Sequence, residues 1–230
     1  MNDFPFYDRT WHLLVRSSRT RILIESWIEE QICKSVSLEK DVESSLVASF
    51  ASSKWMVEAD DVSYAATRMA RLQRFKRSRF LPKVEEYFTR TRSARDQLIF
   101  SMLRCRNSSR LQELALAIRE GELELSAAAI RWSEGPESAR GGRIGPVLAS
   151  NVGHPELTKR LLVAVEGRLI GPFDLGDTNV LIRLDKRLPA RLTDDMEGQL
   201  IDELYQEWIS AQIGLVEEGG TIDLIEYLPD

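Results

Sequence analysis

Apolar residues recur at helical spacing through the first 95 residues, with polar and charged residues between them. A helix over 19–34 would be capped by Ser17 or Ser18, and Ser37 would cap a second helix. Asp60–Asp61 favours a third helix start, both by capping and by negative charge at the positive end of the helix dipole. The apolar positions of these three helices are Leu23, Trp27 and Ile28, then Leu38, Val42, Leu46 and Phe50, then Val62, Ala65, Met69 and Leu72.

Two arrangements remain open around Pro82. Proline suits the first turn of a new helix, which would carry Val84 and Phe88. Alternatively, Pro82 kinks one long helix. Residues 54–57 are interpreted as a junction between the second and third helices.

From residue 98 to residue 188, short β-rich runs alternate with short helices. The last two extended runs flank a turn-forming stretch and predict a β-hairpin. In chain order we predict a strand over 98–105, a helix from Ser108 or Ser109 to a C-cap at Gly121, helices over 125–132 and 155–165, and strands over 170–173 and 180–184. The first of these helices would bury Leu111, Leu114, Ala115, Leu116 and Ile118.

A glycine-rich loop lies in the middle of this region. Gly141 and Gly142, with Gly145 three residues on, allow the backbone to take positive φ and to run close to a neighbouring strand. The loop is not a phosphate cradle, because a phosphate loop carries Gly-Lys-Ser/Thr at the mouth of a helix, whereas Arg143 and an apolar run follow the glycines here.

These fragments, taken in order, resemble parvulin-type peptidyl-prolyl isomerases, the PpiC or rotamase family. The fragments are Trp-Ser-Glu-Gly-Pro-Glu-Ser-Ala-Arg-Gly-Gly-Arg-Ile-Gly-Pro over 132–146, Glu-Gly at 166–167 ahead of Ile-Gly-Pro-Phe, and the strand over 180–184. The resemblance covers roughly residues 98–188. It implies an α+β fold, in which a four-stranded, mostly antiparallel sheet is covered by short helices.

The helices on both sides of this region resemble the layout of SurA-type chaperones, which implies a separate all-α domain. Thr193 would cap a C-terminal helix that Gly214 ends, with an apolar stripe formed by Met196, Leu200, Leu204, Trp208 and Ala211. We therefore predict an N-terminal helical region over 1–95, a parvulin-like domain over 96–189, a C-terminal helix over 190–214 that packs on the N-terminal region, and an acidic tail over 215–230. The apolar residues of the tail would either dock on another surface or pack on the body of the chain.

Composition narrows the possible chemistry. The chain of 230 residues contains no apolar run near the roughly 20 residues that a membrane helix needs, and its first residues lack a signal-like pattern, so we expect a cytoplasmic protein. Cys33 and Cys105 are interpreted as buried, reduced thiols. His12 and His154 have no partners at ligand spacing, so we expect no metal, no other cofactor and no Ser/His/Asp triad.

Basic residues dominate the stretch from Arg68 to Arg110. Such a stripe is typical of a surface that neutralises nucleic-acid phosphates. It is equally typical of the solvated face of a long helix, and the acidic C-terminal segment would supply an intramolecular counterpart. The net charge of −5 favours the second interpretation, so we expect no nucleic-acid partner.

The resemblance also implies where a catalytic site would lie. Parvulins place an apolar proline pocket beside two histidines and an aspartate or cysteine, and these three polar positions fall on Met102, Gly135 and Val180 here. The pocket phenylalanine position falls on Leu157, and the pocket methionine position falls near Gly153, where a gap of one residue brings in His154. We expect isomerase activity to be weak or absent, because each positioned polar group contributes about 10²–10³ in rate.

We therefore expect a foldase or chaperone-type binder of extended or Pro-containing polypeptide. Its apolar groove would be lined by Met102, Leu148, Leu157 and Val180, with His154 beside them. The alternative is an interaction or nucleic-acid-binding protein that works through the basic helix Arg68–Arg79. The sequence leaves the clients and the oligomeric state open.

Overall fold

The computed structural model describes residues 16–51 and 58–222. The chain divides into two compact units, which we call the helical unit and the sheet unit. The helical unit takes the described residues of 1–87 and 193–230, and the sheet unit is Phe88–Leu192. The predicted junction at 54–57 and the end of the predicted tail, 223–230, lie outside the described residues.

The helical unit begins with α1 (Thr20–Ser35), α2 (Lys40–Ser49) and α3 (Ala59–Phe80), and a 3₁₀ turn (Leu81–Lys83) leads into α4 (Val84–Arg95). The elements that follow are β1 (Gln97–Cys105), α5 (Ser108–Arg119), α6 (Leu125–Trp132), β2 (Arg143–Leu148), α7 (Pro155–Val163), β3 (Leu169–Leu175), β4 (Thr178–Leu188) and α8 (Asp194–Glu217). Short 3₁₀ turns cover Pro136–Arg140 and Ala149–Asn151. Pro82 therefore lies in a turn between two helices.

The predicted helices are present, but several of the predicted caps are wrong. Ser17, Ser18 and Ser37 are not the N-caps of α1 and α2, since Arg19 and Glu39 hold those positions without a side-chain capping bond. Asp60 and Asp61 stand in the first turn of α3 without capping it, where their charge favours the positive end of the dipole. Two caps use side chains: Asn107 accepts a hydrogen bond from Arg110 N, and Thr193, as predicted, accepts one from Met196 N.

Some predicted apolar faces are rotated from those observed. Met69, Leu116 and Ala211 are exposed, so their assignment to buried stripes is wrong. Leu72, Leu114 and Leu200 of the predicted stripes are buried, so packing shifts the edge of each buried face rather than selecting a different stripe. On α8 the buried residues are Leu200, Ile201, Tyr205, Ile209, Gln212 and Ile213. The helix also runs through Gly214 to Glu217, since an interior glycine costs a helix only about 1 kcal/mol.

Aromatic side chains join α3 to α8 within the helical unit. The ring centroids of Phe75 and Trp208 are 5.4 Å apart, and those of Phe80 and Tyr205 are 6.3 Å apart. Lys76 lies over the Tyr205 ring, with Nζ 4.3 Å from the centroid. The N-terminal helices and the C-terminal helix thus share one core.

Ion pairs surround this aromatic contact. Lys76 Nζ lies 2.8 Å from Asp202 Oδ1, and Arg77 Nη2 lies 3.4 Å from Glu197 Oε1. The hypothesis that the basic stripe meets the acidic C-terminal segment is confirmed for these two residues.

The sheet unit contains a four-stranded sheet in the order β2-β1-β4-β3, with every pair antiparallel. The predicted α+β class, strand over 98–105 and hairpin are confirmed, while β2 is a strand that the prediction did not locate. Gly141 and Gly142 both have positive φ, and Gly142 O accepts a hydrogen bond from Met102 N at 2.9 Å, as a close approach to β1 requires.

Each face of the sheet has its own core. One face packs under α7 and buries Leu98, Phe100, Met102, Ala149, Leu157, Leu161, Val180, Ile182 and Leu184. The other packs under α5 and α6 and buries Leu103, Cys105, Leu111, Leu114, Ala115, Leu125, Ala128, Ala129 and Leu181. Among the described residues, no helix is long and apolar enough to cross a membrane.

The packing of α1 gives a direct test of the helical unit. Ile28 is fully buried, so Ile28→Ala should lower the free energy of unfolding of this unit by about 2–5 kcal/mol. Ile22 lies on the same helix with 64% of its surface exposed, and Ile22→Ala should change it by less than about 0.5 kcal/mol. Urea denaturation of both variants measures the difference, and equal losses would contradict this packing.

Candidate functional site

On the face of the sheet that α7 covers, β1, β4 and β3 each contribute one side chain to a single row. Arg104 on β1 pairs with Val180 on β4, and Val180 pairs with Phe173 on β3. Directly opposed residues in an antiparallel sheet project to the same face, so these three side chains lie side by side. Met102, two residues before Arg104, lies on the same face. We call Arg104, Val180 and Phe173 the rim row.

Met102 and Val180 lie close together but offer no polar group. They retain 4% and 0% of their surface, and both pack with Leu157 in the core under α7. These are the sheet positions where the resemblance places histidines. In this chain both side chains are apolar and fill the space with core rather than with donors and acceptors.

A partly buried ion pair lies against Gly135, the third position that the resemblance implies. A Cβ atom built on Gly135 would lie 2.3 Å from Arg104 Nε and 2.3 Å from a carboxylate oxygen of Glu137. The Arg104 guanidinium reaches both Glu137 carboxylate oxygens, from Nε and from Nη2, at 2.8 Å each. A side chain at position 135 would therefore collide with this pair.

Ser133 completes the polar cluster. Its hydroxyl donates to Glu137 Oε1 at 2.7 Å and accepts the backbone N–H of Arg104 at 3.1 Å. Burial raises the pKa of the Glu137 carboxyl, but the hydrogen bonds from Arg104 and Ser133 outweigh burial and leave the pKa below its ordinary value of 4.5. Glu137 is thus ionised at neutral pH and compensates the charge of Arg104.

The remaining predicted groove residues lie apart from this site. Leu148 is exposed at the end of β2, and exposed His154 precedes α7. His154 borders an open depression of about 710 Å³, which Lys159, Leu162 and Val163 also line. The structure therefore brings Met102, Leu157 and Val180 together beneath the surface, and it places Leu148 and His154 elsewhere.

The two cysteines do not belong to the site. Cys33 and Cys105 are free and buried, as predicted, and burial raises the pKa of both thiols. Among residues 16–51 and 58–222, no group of three or more His, Cys, Asp or Glu side chains is arranged to hold a metal ion.

Comparisons with solved structures give neighbours of known fold. The peptidylprolyl isomerase PrsA of Bacillus cereus has a TM-score of 0.51 and 11% identity, over 94% of this chain and 89% of that chain. The foldase protein PrsA of Streptococcus pneumoniae has a TM-score of 0.44 and 12% identity, over 92% and 90%. A PpiC-type peptidyl-prolyl cis-trans isomerase domain has a TM-score of 0.41 and 15% identity, over 44% of this chain and 99% of that domain. No protein-family model and no curated protein matches the sequence.

The chain has a parvulin-type fold. This confirms the resemblance drawn from the sequence at the level of the fold, and the low identities carry it no further.

Arg104 and Glu137, the charged residues of this site, were not identified from the sequence. Arg104 stands on the same side of β1 as the buried Met102, and a charge on the inward side of a central strand needs a partner. The alternation of side chains along β1 was therefore the sequence signal that could have identified Arg104. Nothing in the sequence pointed to Glu137, whose loop approaches β1 only in the folded chain.

The ionised state of Glu137 predicts a pH dependence of stability. A carboxyl with a lowered pKa contributes stability that is complete above its ordinary value and is lost as the pH falls through its folded value. At pH 7, Glu137→Gln should lower the free energy of unfolding of the sheet unit by about 1–3 kcal/mol. The difference in free energy of unfolding between the variant and the native chain should become smaller as the pH falls below 4.5.

Glu134→Gln is the matched control for this experiment. Glu134 lies in the same loop with a more exposed side chain and a longer ion pair, 3.7 Å from Arg106 Nε, so its loss should cost less than about 1 kcal/mol. Denaturation at several pH values measures both variants. A gap for Glu137→Gln that stays constant from pH 7 to pH 3 would contradict an ionised, buried carboxylate.

Proposed function

We propose that this protein binds extended or Pro-containing polypeptide as a foldase or chaperone-type protein, with isomerase activity weak or absent. The observation that supports the proposal is that a parvulin-type fold has Met102, Gly135 and Val180 at the positions where the family has its polar residues. In this proposal residues 96–189 form the parvulin-like domain, and the helical unit is an additional arm.

Isomerisation of an X–Pro bond is limited by a high rotational barrier. Rotation about an X–Pro bond crosses about 18–20 kcal/mol of amide resonance, and a catalyst must bind the twisted amide better than either planar form. Met102 and Val180 are buried apolar side chains and supply no aligned donor or acceptor to an amide. A carboxylate at position 135 would meet the Arg104–Glu137 pair. Little catalytic power remains in such a site.

Binding needs less than catalysis. Phe173 and Leu162 pack against the buried cluster, are half-buried and keep some apolar surface exposed. We take the exposed parts of Arg104 and Phe173 as the contact surface of the polypeptide site, with buried Val180, Met102 and Leu157 supporting it from below. Leu148 and His154, which the sequence also placed in the groove, lie outside this version of the site.

The nucleic-acid alternative receives no specific support. Four basic side chains of the Arg68–Arg79 helix are engaged inside the helical unit, Arg68 with Glu29, Arg71 with Glu43, Lys76 with Asp202 and Arg77 with Glu197. The absence of a nucleic-acid partner and the cytoplasmic location stay predictions.

Two assays on the full chain test the proposal. In a protease-coupled assay on X–Pro peptides, the native protein should show turnover near the uncatalysed rate, and turnover equal to that of an ordinary parvulin would refute the loss of catalysis.

In an aggregation assay with an unfolded client, the native protein should suppress aggregation. Phe173→Ser should weaken this suppression several-fold, because it removes apolar surface from the rim row.

Val163→Ser is the control variant for the aggregation assay. Val163 is apolar and 80% exposed at the end of α7, and it is outside the rim row. It should leave suppression unchanged. Equal effects of the two variants, or no suppression by the native protein, would contradict polypeptide binding at the rim row.

A further inference from the structure

The Arg104 guanidinium is only partly used by the protein. A guanidinium has five N–H donors, and Arg104 directs Nε and Nη2 at Glu137. Within the described part of the chain, Nη1 makes no hydrogen bond. The side chain keeps 32% of its surface exposed, so Nη1 is available to a ligand at the edge of the rim row.

This donor is held in place before any ligand arrives. The two parallel bonds to Glu137 fix the plane of the guanidinium, and the Ser133 hydroxyl holds both Glu137 and the Arg104 backbone. A pre-oriented donor loses little conformational freedom on binding. Arg104 is therefore suited to a ligand contact, beyond its role in the loop.

The charges around Arg104 indicate what kind of ligand group its guanidinium would contact. Glu137 is ionised and buried against Arg104, so the pair is close to neutral. Arg160, which lies over the Phe173 ring at 4.2 Å, is likewise paired, with its Nε 2.8 Å from Glu156 Oε1. The site has a directed donor without an excess of positive charge, which favours an uncharged acceptor such as a backbone carbonyl over a carboxylate.

The spacing of the rim row fits an extended chain. Arg104 and Phe173 are separated by two strand spacings, about 10 Å, and an extended polypeptide advances about 3.3 Å per residue. About three residues therefore link a carbonyl at Arg104 to an apolar side chain on Phe173.

We propose that Arg104 holds bound polypeptide by donating from Nη1 to a main-chain carbonyl oxygen, while an apolar side chain of the same segment packs on the part of Phe173 that stays exposed beside Arg160. This rests on the polypeptide binding proposed above. The recognition is of the uncharged main chain, so affinity depends little on salt. Donation to a carbonyl oxygen favours the planar resonance form of the amide, so this contact binds an X–Pro segment without speeding its rotation.

A double-mutant cycle on the full chain tests the contact. The probe is a fluorescent, uncharged Leu-Pro peptide, together with a set in which each carbonyl oxygen is replaced singly by sulfur, a weaker acceptor. The variant is Arg104→Lys, which keeps a cation beside Glu137 and removes the Nη1 fork. The control is Arg106→Lys, the same change at an exposed arginine two residues along the chain.

One sulfur replacement should weaken binding to the native protein about 10-fold, the order expected for a hydrogen bond to an ionised donor. The same replacement should weaken binding to Arg104→Lys by no more than about 2-fold. Arg106→Lys should behave as the native protein. The same loss in the native protein and in Arg104→Lys, or no loss at any position, would overturn the role of Arg104. A Leu→Glu peptide that binds far more tightly, with a steep salt dependence, would also overturn it, since the acceptor would then be a carboxylate. If the native protein binds no Leu-Pro peptide, the proposed function itself fails.

Discussion

The pairing of β1 with β4 is the interaction on which both the sheet unit and its site depend. The two strands meet along their whole lengths, from Gln97 with Leu188 to Cys105 with Asn179, and their alternating side chains supply both cores of the sheet. Because direct opposition puts paired side chains on one face, the same register sets Arg104 beside Val180. A slip of one residue would move every one of these side chains to the opposite face.

The site of this parvulin-type fold combines buried apolar side chains with one ion pair. Apolar side chains at 102 and 180 belong to the core under α7, and a glycine at 135 leaves room for an ion pair between β1 and the loop. These changes depend on one another: a charge at 104 is stable there only with Glu137, and Glu137 reaches it only because residue 135 has no side chain. The polar groups of this site are the guanidinium of Arg104 and the carboxylate of Glu137.

Short-range patterns predicted much of this architecture. The order of elements, the hairpin and the positive φ of Gly141 and Gly142 were all readable, because turn chemistry and periodicity act over a few residues. The exact limits of the helix faces were not, since Met69 and Leu116 fit the spacing of largely buried stripes and are nevertheless exposed. The candidate site could likewise be predicted only in part. The resemblance indicated positions 102, 135 and 180. The contact of Arg104 with Glu137, 33 residues away, depends on the fold.

The central claim is that uncharged polypeptide binds along the rim row of a parvulin-type sheet that has lost its catalytic groups. Chemical-shift mapping of the labelled full chain with an uncharged Leu-Pro peptide tests it most directly. The account predicts that the largest shifts occur at the backbone amides of Arg104, Gly135, Phe173 and Val180. Largest shifts around His154 and Lys159, or in the helical unit, would contradict it, and so would a spectrum that the peptide leaves unchanged.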